Sequence, residues 1–160
     1  MDVVPDFQSK PQTQSKPQQF DIAQFKQLYQ TFNANTLSQL PTFYTPSIVF
    51  KDPVHQIAGI NSLTNYFASF CNPESQCQFE FVNEVISDDQ AFFQWQMHYS
   101  HPKLQAGKPL KLNGGTLIKF NSQITYHEDF YDMGAMIYQH IPLLGWAVKK
   151  INARISEQPQ

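Results

Sequence analysis

The dipeptide Asp52-Pro53 sets the sharpest local constraint in this chain, because no single element can run through the stretch FYTPSIVFKDPVHQIAGINSLTNYFASF, residues 43–70. Proline gives no N–H to a ladder, and its ring pushes the residue before it out of the helical region. Ile48, Val49 and Phe50 are β-branched or aromatic, so Ser47 to Lys51 reads as a short edge strand that stops at Asp52. Beyond the stop, Gly59 frees a turn, and Asn61 or Ser62 is placed to cap a helix. Leu63, Tyr66, Phe67 and Phe70 recur there at i, i+3, i+4 and i+7. A strand, a stop and a helix folded back behind it put the Asp52 carboxylate on the rim of a cavity.

The flanking sequence fills in the class. Residues 1–19 hold the near-duplicate QSKPQT and QSKPQQ, too polar to offset the entropy of ordering, and read as a flexible tail. Asp21 is a cap for a first helix with Ile22, Phe25, Leu28, Tyr29 and Phe32 on one face, stopped by Asn33-Ala34-Asn35. A shorter helical piece from Thr36 carries Leu37, Leu40, Phe43 and Tyr44 and is bent or split at Pro41. After Pro73 the period changes to two. Cys77 to Ile86, Gln90 to Ser100, Pro109 to Phe120 and Gln123 to Asp132 read as long strands, joined as hairpins at Ser87-Asp88-Asp89 and Asn121-Ser122. Gly114-Gly115 reads as a bulge that lets the sheet bend. Helices followed by an antiparallel meander give an α+β class.

Beyond Asp132, a turn and then a helix from about Leu144 carry Trp146, Val148, Ile151 and Ile155 against Lys149, Lys150 and Arg154. The plain expectation is a helix packed on the body of the domain or across a dimer. A basic, Trp-bearing amphipathic helix is also suited to contact with a membrane surface. The organisation is thus a tail over 1–19, a folded domain over 20–132 and a helical extension over 133–160.

Charge and cysteine content narrow the partners. A formal charge of −2 supplies no basic field for nucleic acid. Cys71 and Cys77 flank a proline-containing turn. A disulfide is open to them, but without a signal peptide two reduced thiols in a cytoplasmic protein are the simpler expectation. Pro142 and Gly145 interrupt the most apolar segment, so no membrane span is expected.

The sequence of an aromatic-rich helix end, V-F-x-D-P at residues 49–53 and G-x-x-x-L-x-x-Y-F at residues 59–67 resembles the nuclear transport factor 2-like superfamily. Within it, the closest likeness is to the SnoaL-like polyketide cyclases and ketosteroid isomerases, over about Phe20 to Asp132. The resemblance implies a cone: N-terminal helices packed in a curved antiparallel or mixed sheet.

Alternation sorts the side chains. Phe93, Trp95, Met97 and Tyr99 share one face of their strand, while Gln94, Gln96 and His98 share the other. Leu110, Leu112, Thr116, Ile118 and Phe120 oppose Lys111, Asn113 and Lys119. In the last strand Thr125, His127, Asp129 and Tyr131 oppose Ile124, Tyr126, Glu128, Phe130 and Asp132. Periodicity leaves open which set faces in; the ketosteroid isomerase pattern implies the His127 set.

His127 and Asp129 are then the sharpest candidates for acid–base chemistry. Two residues along a strand span about 7 Å, which leaves a gap for a water or a substrate atom. Burial among aromatics disfavours an aspartate and a protonated imidazole restores it, so the pair is suited to sharing a proton near neutrality. The resemblance to the cyclases implies a catalytic acid/base at Asp129. The resemblance to the isomerases implies a general base at Asp52, although Asp-Pro at a strand end is also an ordinary turn stop. Where an isomerase keeps a protonated acid and a tyrosine, this chain has Thr116 and Leu28, with Tyr29 one residue out of register. A dienolate would lack its main stabilisation, which argues against steroid isomerisation. His55, His98 and His101 do not converge as a metal set, and Gly114-Gly115 opens no helix that would bind phosphate.

The expected function is binding of a small apolar, ring-containing or polyketide-like molecule in a hollow cone. Trp95, Met97, Tyr99, Tyr131, Phe93, Thr116, Ile118 and Tyr29 would line it, and Asp129, His127 and Asp52 would move protons without a cofactor or metal. The alternative is a non-catalytic module of the same fold, its cone filled by its own aromatics and its outer face forming a homodimer.

Overall fold

The computed structural model describes residues 20–71, 76–102, 104–141 and 143–156; the expected tail over 1–19 and the Pro73 turn lie outside them. Helix α1 (Ile22–Gln30) begins as its sequence dictates, with Asp21 accepting from the Gln24 N–H at 3.0 Å and from its side-chain amide at 2.9 Å. Phe25, Leu28 and Tyr29 are its buried face. A 3₁₀ turn at Leu37–Gln39 runs into α2 (Leu40–Phe43), and Pro41 falls in the first turn, where its missing N–H costs nothing.

Six strands follow: β1 (Tyr44–Lys51), β2 (Gln56–Ala58), β3 (Gln76–Ile86), β4 (Gln90–Ser100), β5 (Leu110–Phe120) and β6 (Ile124–Tyr131). They form one sheet in the order β2-β1-β6-β5-β4-β3, antiparallel except where β1 runs parallel to β6. The expected edge strand is therefore not an edge. After Asp52-Pro53 the chain doubles back, with the Asp52 N–H donating to the His55 carbonyl at 3.0 Å, and β2 takes the edge position. β1 also begins at Tyr44, earlier than Ser47, through an irregular stretch between the Tyr44–Ile124 and Val49–Tyr126 pairs.

Helix α3 (Ile60–Ala68) starts directly from Gly59, whose φ of 88° is open chiefly to glycine; Asn61 and Ser62 lie inside the helix and do not cap it. Leu63 and Phe67 are buried, while Phe70, past the last turn, is exposed. One core joins α1, α2 and α3 to the inner sheet face through Phe25, Leu40, Phe50, Phe67, Phe93 and Ile118. A second, smaller cluster of Trp95, Met97, Tyr99 and Leu112 is covered by Ala135 and Met136 of α4 (Met133–Met136).

Two local expectations are corrected by register. Pairing jumps from Lys119–Tyr126 to Phe120–Ile124, so Thr125 is the extra residue of a bulge. Ile124 thereby turns into the core and Thr125 outward, the reverse of strict alternation, while His127 stays inward. At Gly114 and Gly115 the ladders to β4 and β6 run without a shift, so no bulge lies there. The glycines answer a different need: a Cβ on Gly114 would overlap the Trp95 ring, and one on Gly115 the Phe92 ring.

Helix α5 (Leu144–Ser156) does not pack along the body, the first of the two placements expected for it. It meets the domain at the turn Tyr138–His140, where Gly145 is buried against the Gln139 backbone, and residues 149–156 are all exposed. The close approach of Trp95 gives a test of the sheet: Gly114→Ala should lower stability by about 1–3 kcal/mol through overpacking. Urea denaturation monitored by fluorescence would check it, and a variant as stable as wild type would refute the close packing.

Candidate functional site

The inner face of β6 is bordered by β1 and β5. The register places His127 beside Phe50 and Ile118, and Asp129 opposite Thr116. His127 is fully buried, its ring 5.0 Å from Phe50 and 5.9 Å from both Tyr44 and Tyr29. A buried imidazole requires partners for both nitrogens. Nε2 lies 2.9 Å from Asp129 Oδ1 and Nδ1 2.9 Å from the Tyr44 hydroxyl, which in turn lies 2.6 Å from the Tyr29 hydroxyl. The Thr116 hydroxyl donates to the same Asp129 Oδ1 at 2.5 Å and accepts from Trp95 Nε1 at 2.8 Å. The gap expected between His127 and Asp129 is closed by a direct bond.

One assignment of protons uses every donor. Tyr29 donates to Tyr44, Tyr44 to Nδ1 of a neutral His127, and Nε2–H to Asp129, while Trp95 donates to Thr116 and Thr116 to Asp129. A doubly protonated ring would turn the Tyr44 hydroxyl around and leave the Tyr29 proton without an acceptor among the described residues. Burial pushes the pKa of both tyrosines well up, which keeps them protonated as the scheme requires. All donors thus converge on one carboxylate oxygen. Asp129 Oδ2 takes no bond among the described residues, and the Asp129 side chain is 20% exposed against 0% for His127.

Asp52 is built differently. Its Oδ1 accepts from the Val54 N–H at 2.7 Å and the His55 N–H at 2.6 Å, the His55 ring lies 3.2 Å away, and Tyr66 donates to Oδ2. Burial opposes ionisation of Asp52, but the four hydrogen bonds outweigh it and hold the carboxyl below its usual range. This arrangement fixes the turn after β1. Tyr66 and Tyr131 link the two acids: burial raises the pKa of both hydroxyls, and the charges of Asp52 and Asp129 raise them further. Asp52, Tyr66, Tyr131 and Asp129 therefore share one end of the sheet.

The interior beside Asp129 is almost filled. A void of about 10 Å³ lies among Phe25, Tyr29, Phe79, Phe81, Trp95, Thr116 and Asp129, room for one water molecule at most. Of the residues expected to line a cavity, Trp95, Thr116 and Tyr29 border this void. Tyr131 lies 6.5 Å from the Trp95 ring, while Phe93 and Ile118 belong to the main core. Met97 and Tyr99 lie in the second cluster, the Tyr99 hydroxyl donating to the Met136 carbonyl at 2.6 Å.

Tyr44 and Tyr66 are expected from sequence only on helix faces, and Phe79 and Phe81 not at the site at all. Phe79 and Phe81 do carry a readable signal, alternation within β3. His98 faces Glu80 at 3.7 Å, remote from the His55–Asp52 turn. Cys71 and Cys77 are free thiols, and burial, with the neighbouring Cys71, pushes Cys77 up to about 12.

A family model for the SnoaL-like domain matches residues 25–127. No curated protein matches the chain. Among solved structures, a protein of ketosteroid isomerase-like fold from Catenulispora acidiphila, in complex with trimethylamine, superposes with a TM-score of 0.63 at 13% identity, over 78% of this chain and 95% of its own. A provisionally named polyketide cyclase from Xanthomonas campestris gives 0.61 at 14% identity, over 72% and 92%. A provisionally named SnoaL-like polyketide cyclase from Jannaschia sp. CCS1 gives 0.57 at 14%, over 65% and 77%. At these identities the likeness is one of fold.

Two outcomes follow from the geometry. Tyr44→Phe strands His127 Nδ1 and the Tyr29 hydroxyl in the core and should cost about 1–3 kcal/mol in chemical denaturation; a neutral substitution would break the proposed chain of donors. Asp52, with its pKa depressed on folding, contributes stability that is complete above the usual carboxylate value of about 4 and is lost as pH falls through the folded value. Asp52→Asn should therefore flatten the acid limb of a plot of unfolding midpoint against pH. An unchanged acid limb would count against this.

Proposed function

The chain belongs to the SnoaL-like domain family, and from that premise we propose that it binds a small apolar, ring-containing molecule at the Asp129 end of its cone and moves a proton on it without a cofactor. The observation that carries this reading is the convergence of two donors on Asp129 Oδ1, with Oδ2 taking no bond among the described residues and the side chain 20% exposed beside a fully buried His127. A carboxylate so held presents one oxygen to a ligand and keeps the other fixed. Asp129 is then the general acid or base that meets the substrate. His127 acts through it as a positioning residue, fixing its orientation through the Nε2–H bond to Oδ1. Asp52, Tyr66 and Tyr131 supply polar groups at the same end. A cyclisation, isomerisation or hydration of a polyketide-like compound fits this set.

The void of about 10 Å³ is far below the roughly 300–1,000 Å³ of ordinary ligand pockets, so a ring must displace part of the wall. Phe79 and Phe81 come from β3, an edge strand with a neighbour on one side only, and are the side chains freest to yield. The same small void favours a second reading, a filled, non-catalytic module. On that reading exposed Val85, Phe92 and Phe130 of the outer sheet face would join two copies as a homodimer.

Trp95 and Trp146 are the only tryptophans, so Trp146→Phe leaves Trp95 as a single reporter in the wall. Titration with 2-naphthol, a ring carrying one hydroxyl for Asp129 Oδ2, should quench Trp95 saturably, and Asp129→Leu should weaken binding about tenfold. No saturable quenching, together with no co-purifying small molecule in native mass spectrometry, would establish the filled module instead.

A further inference from the structure

The C-terminal helix α5 leaves the domain at Gly145 and carries Lys149, Lys150 and Arg154 with no acidic residue between Leu144 and Ser156. Leu144, Val148, Ile151 and Ile155 recur at i, i+4, i+7 and i+11 and form one stripe down the helix. Ile151 is 57% exposed and Ile155 66%, and exposed Leu143 adjoins the start of the stripe. By helical angle, Arg154 and Lys150 lie along one flank and Lys149 along the other. Trp146 lies on the far side, its ring 4.8 Å from Lys150 Nζ.

At the root of the helix is an open cleft of about 300 Å³, between the strand-connecting loop before β5 and the turn Tyr138–His140. Its polar lining is Gln105, Lys108, Gln139, His140 and Lys149, with no carboxylate. The His140 ring is held by the Ala135 carbonyl at 3.0 Å and by Gln105 at 3.4 Å, and neither lysine is paired with an acid among the described residues. In a chain of net charge −2, this end gathers Lys108, Lys149, Lys150 and Arg154, none paired with an acid among the described residues, around an exposed apolar stripe.

We propose that α5 and the cleft at its root dock the protein onto an anionic phospholipid bilayer. The stripe enters the acyl boundary with the helix in the membrane plane, and Lys108 and Lys149 meet headgroup phosphates in the cleft. The charge pattern selects this occupant over a second copy, because two α5 helices joined stripe to stripe would bring their flanking cations together. No helix of the described residues is long and apolar enough to cross a membrane, and docking of this kind requires none. The proposal stands apart from the reading of Asp129, and its test reads no turnover.

The full chain should co-sediment with vesicles of equal parts phosphatidylcholine and phosphatidylglycerol at least tenfold more than with phosphatidylcholine alone, and high salt should release it. Each basic residue is expected to contribute about fivefold. Lys149→Glu with Arg154→Glu should therefore lower partition by about twentyfold or more, and Ile151→Ser with Ile155→Ser should abolish it. Circular dichroism and thermal melts of these surface variants should match wild type, and Asp129→Asn should bind vesicles as wild type does. Equal partition to both compositions, or none to either, overturns the proposal. A dimer in light scattering that Ile151→Ser disperses overturns it also, assigning the stripe to a second copy.

Discussion

Burial of the His127 ring is the condition on which the interior depends. An imidazole without solvent costs several kcal/mol unless both nitrogens are satisfied, and neither of its partners is near it by default. Asp129 reaches Nε2 because it follows on the same face of β6. Tyr44 reaches Nδ1 because β1 runs parallel to β6, the single parallel pairing in the sheet. Remove that pairing and Tyr44, His127 Nδ1 and the helix residue Tyr29 lose the hydrogen bonds they share. The aromatic packing around the ring is in this sense a consequence of a polar requirement.

Much of this was legible in the chain itself. The four long strands, the Asp21 cap and the inward set of β4 follow from alternation and capping chemistry that act over a few residues. What was not legible depends on contacts between distant segments. β1 looked like an edge because nothing local announces β2, whose three residues form only once the chain has doubled back on Asp52. Tyr44 looked like the apolar end of a helix because its hydroxyl partner lies 83 residues away. The pair Gly114-Gly115 suggests a bulge in sequence but serves a close approach, since sequence cannot reveal that Trp95 lies across Gly114. Asp129 was identified through family likeness, but the Thr116 and Trp95 bonds that orient it needed the sheet register.

The two readings of the interior turn on one physical contrast. A saturated hydrogen-bond chain rigidifies a core and resists intrusion, whereas the β3 side of the same core rests on Phe79 and Phe81, held by ring packing and by Lys26 over the Phe81 ring. Polar groups therefore sit on the firm wall and apolar ones on the yielding wall. A ligand entering there exchanges one set of apolar contacts for another and leaves the donors around Asp129 undisturbed.

The bulge at Thr125 gives β6 a reserve of one residue. If a residue is lost between Ile124 and His127, the ladder can straighten and the histidine keeps its phase. If one is gained, there is no second slack position, and the strand beyond must invert, sending imidazole and carboxylate to the outer surface and Phe130 inward. Length variation in this stretch of β6 is thus tolerated in one direction only, an asymmetry that substitutions at any single site would never expose.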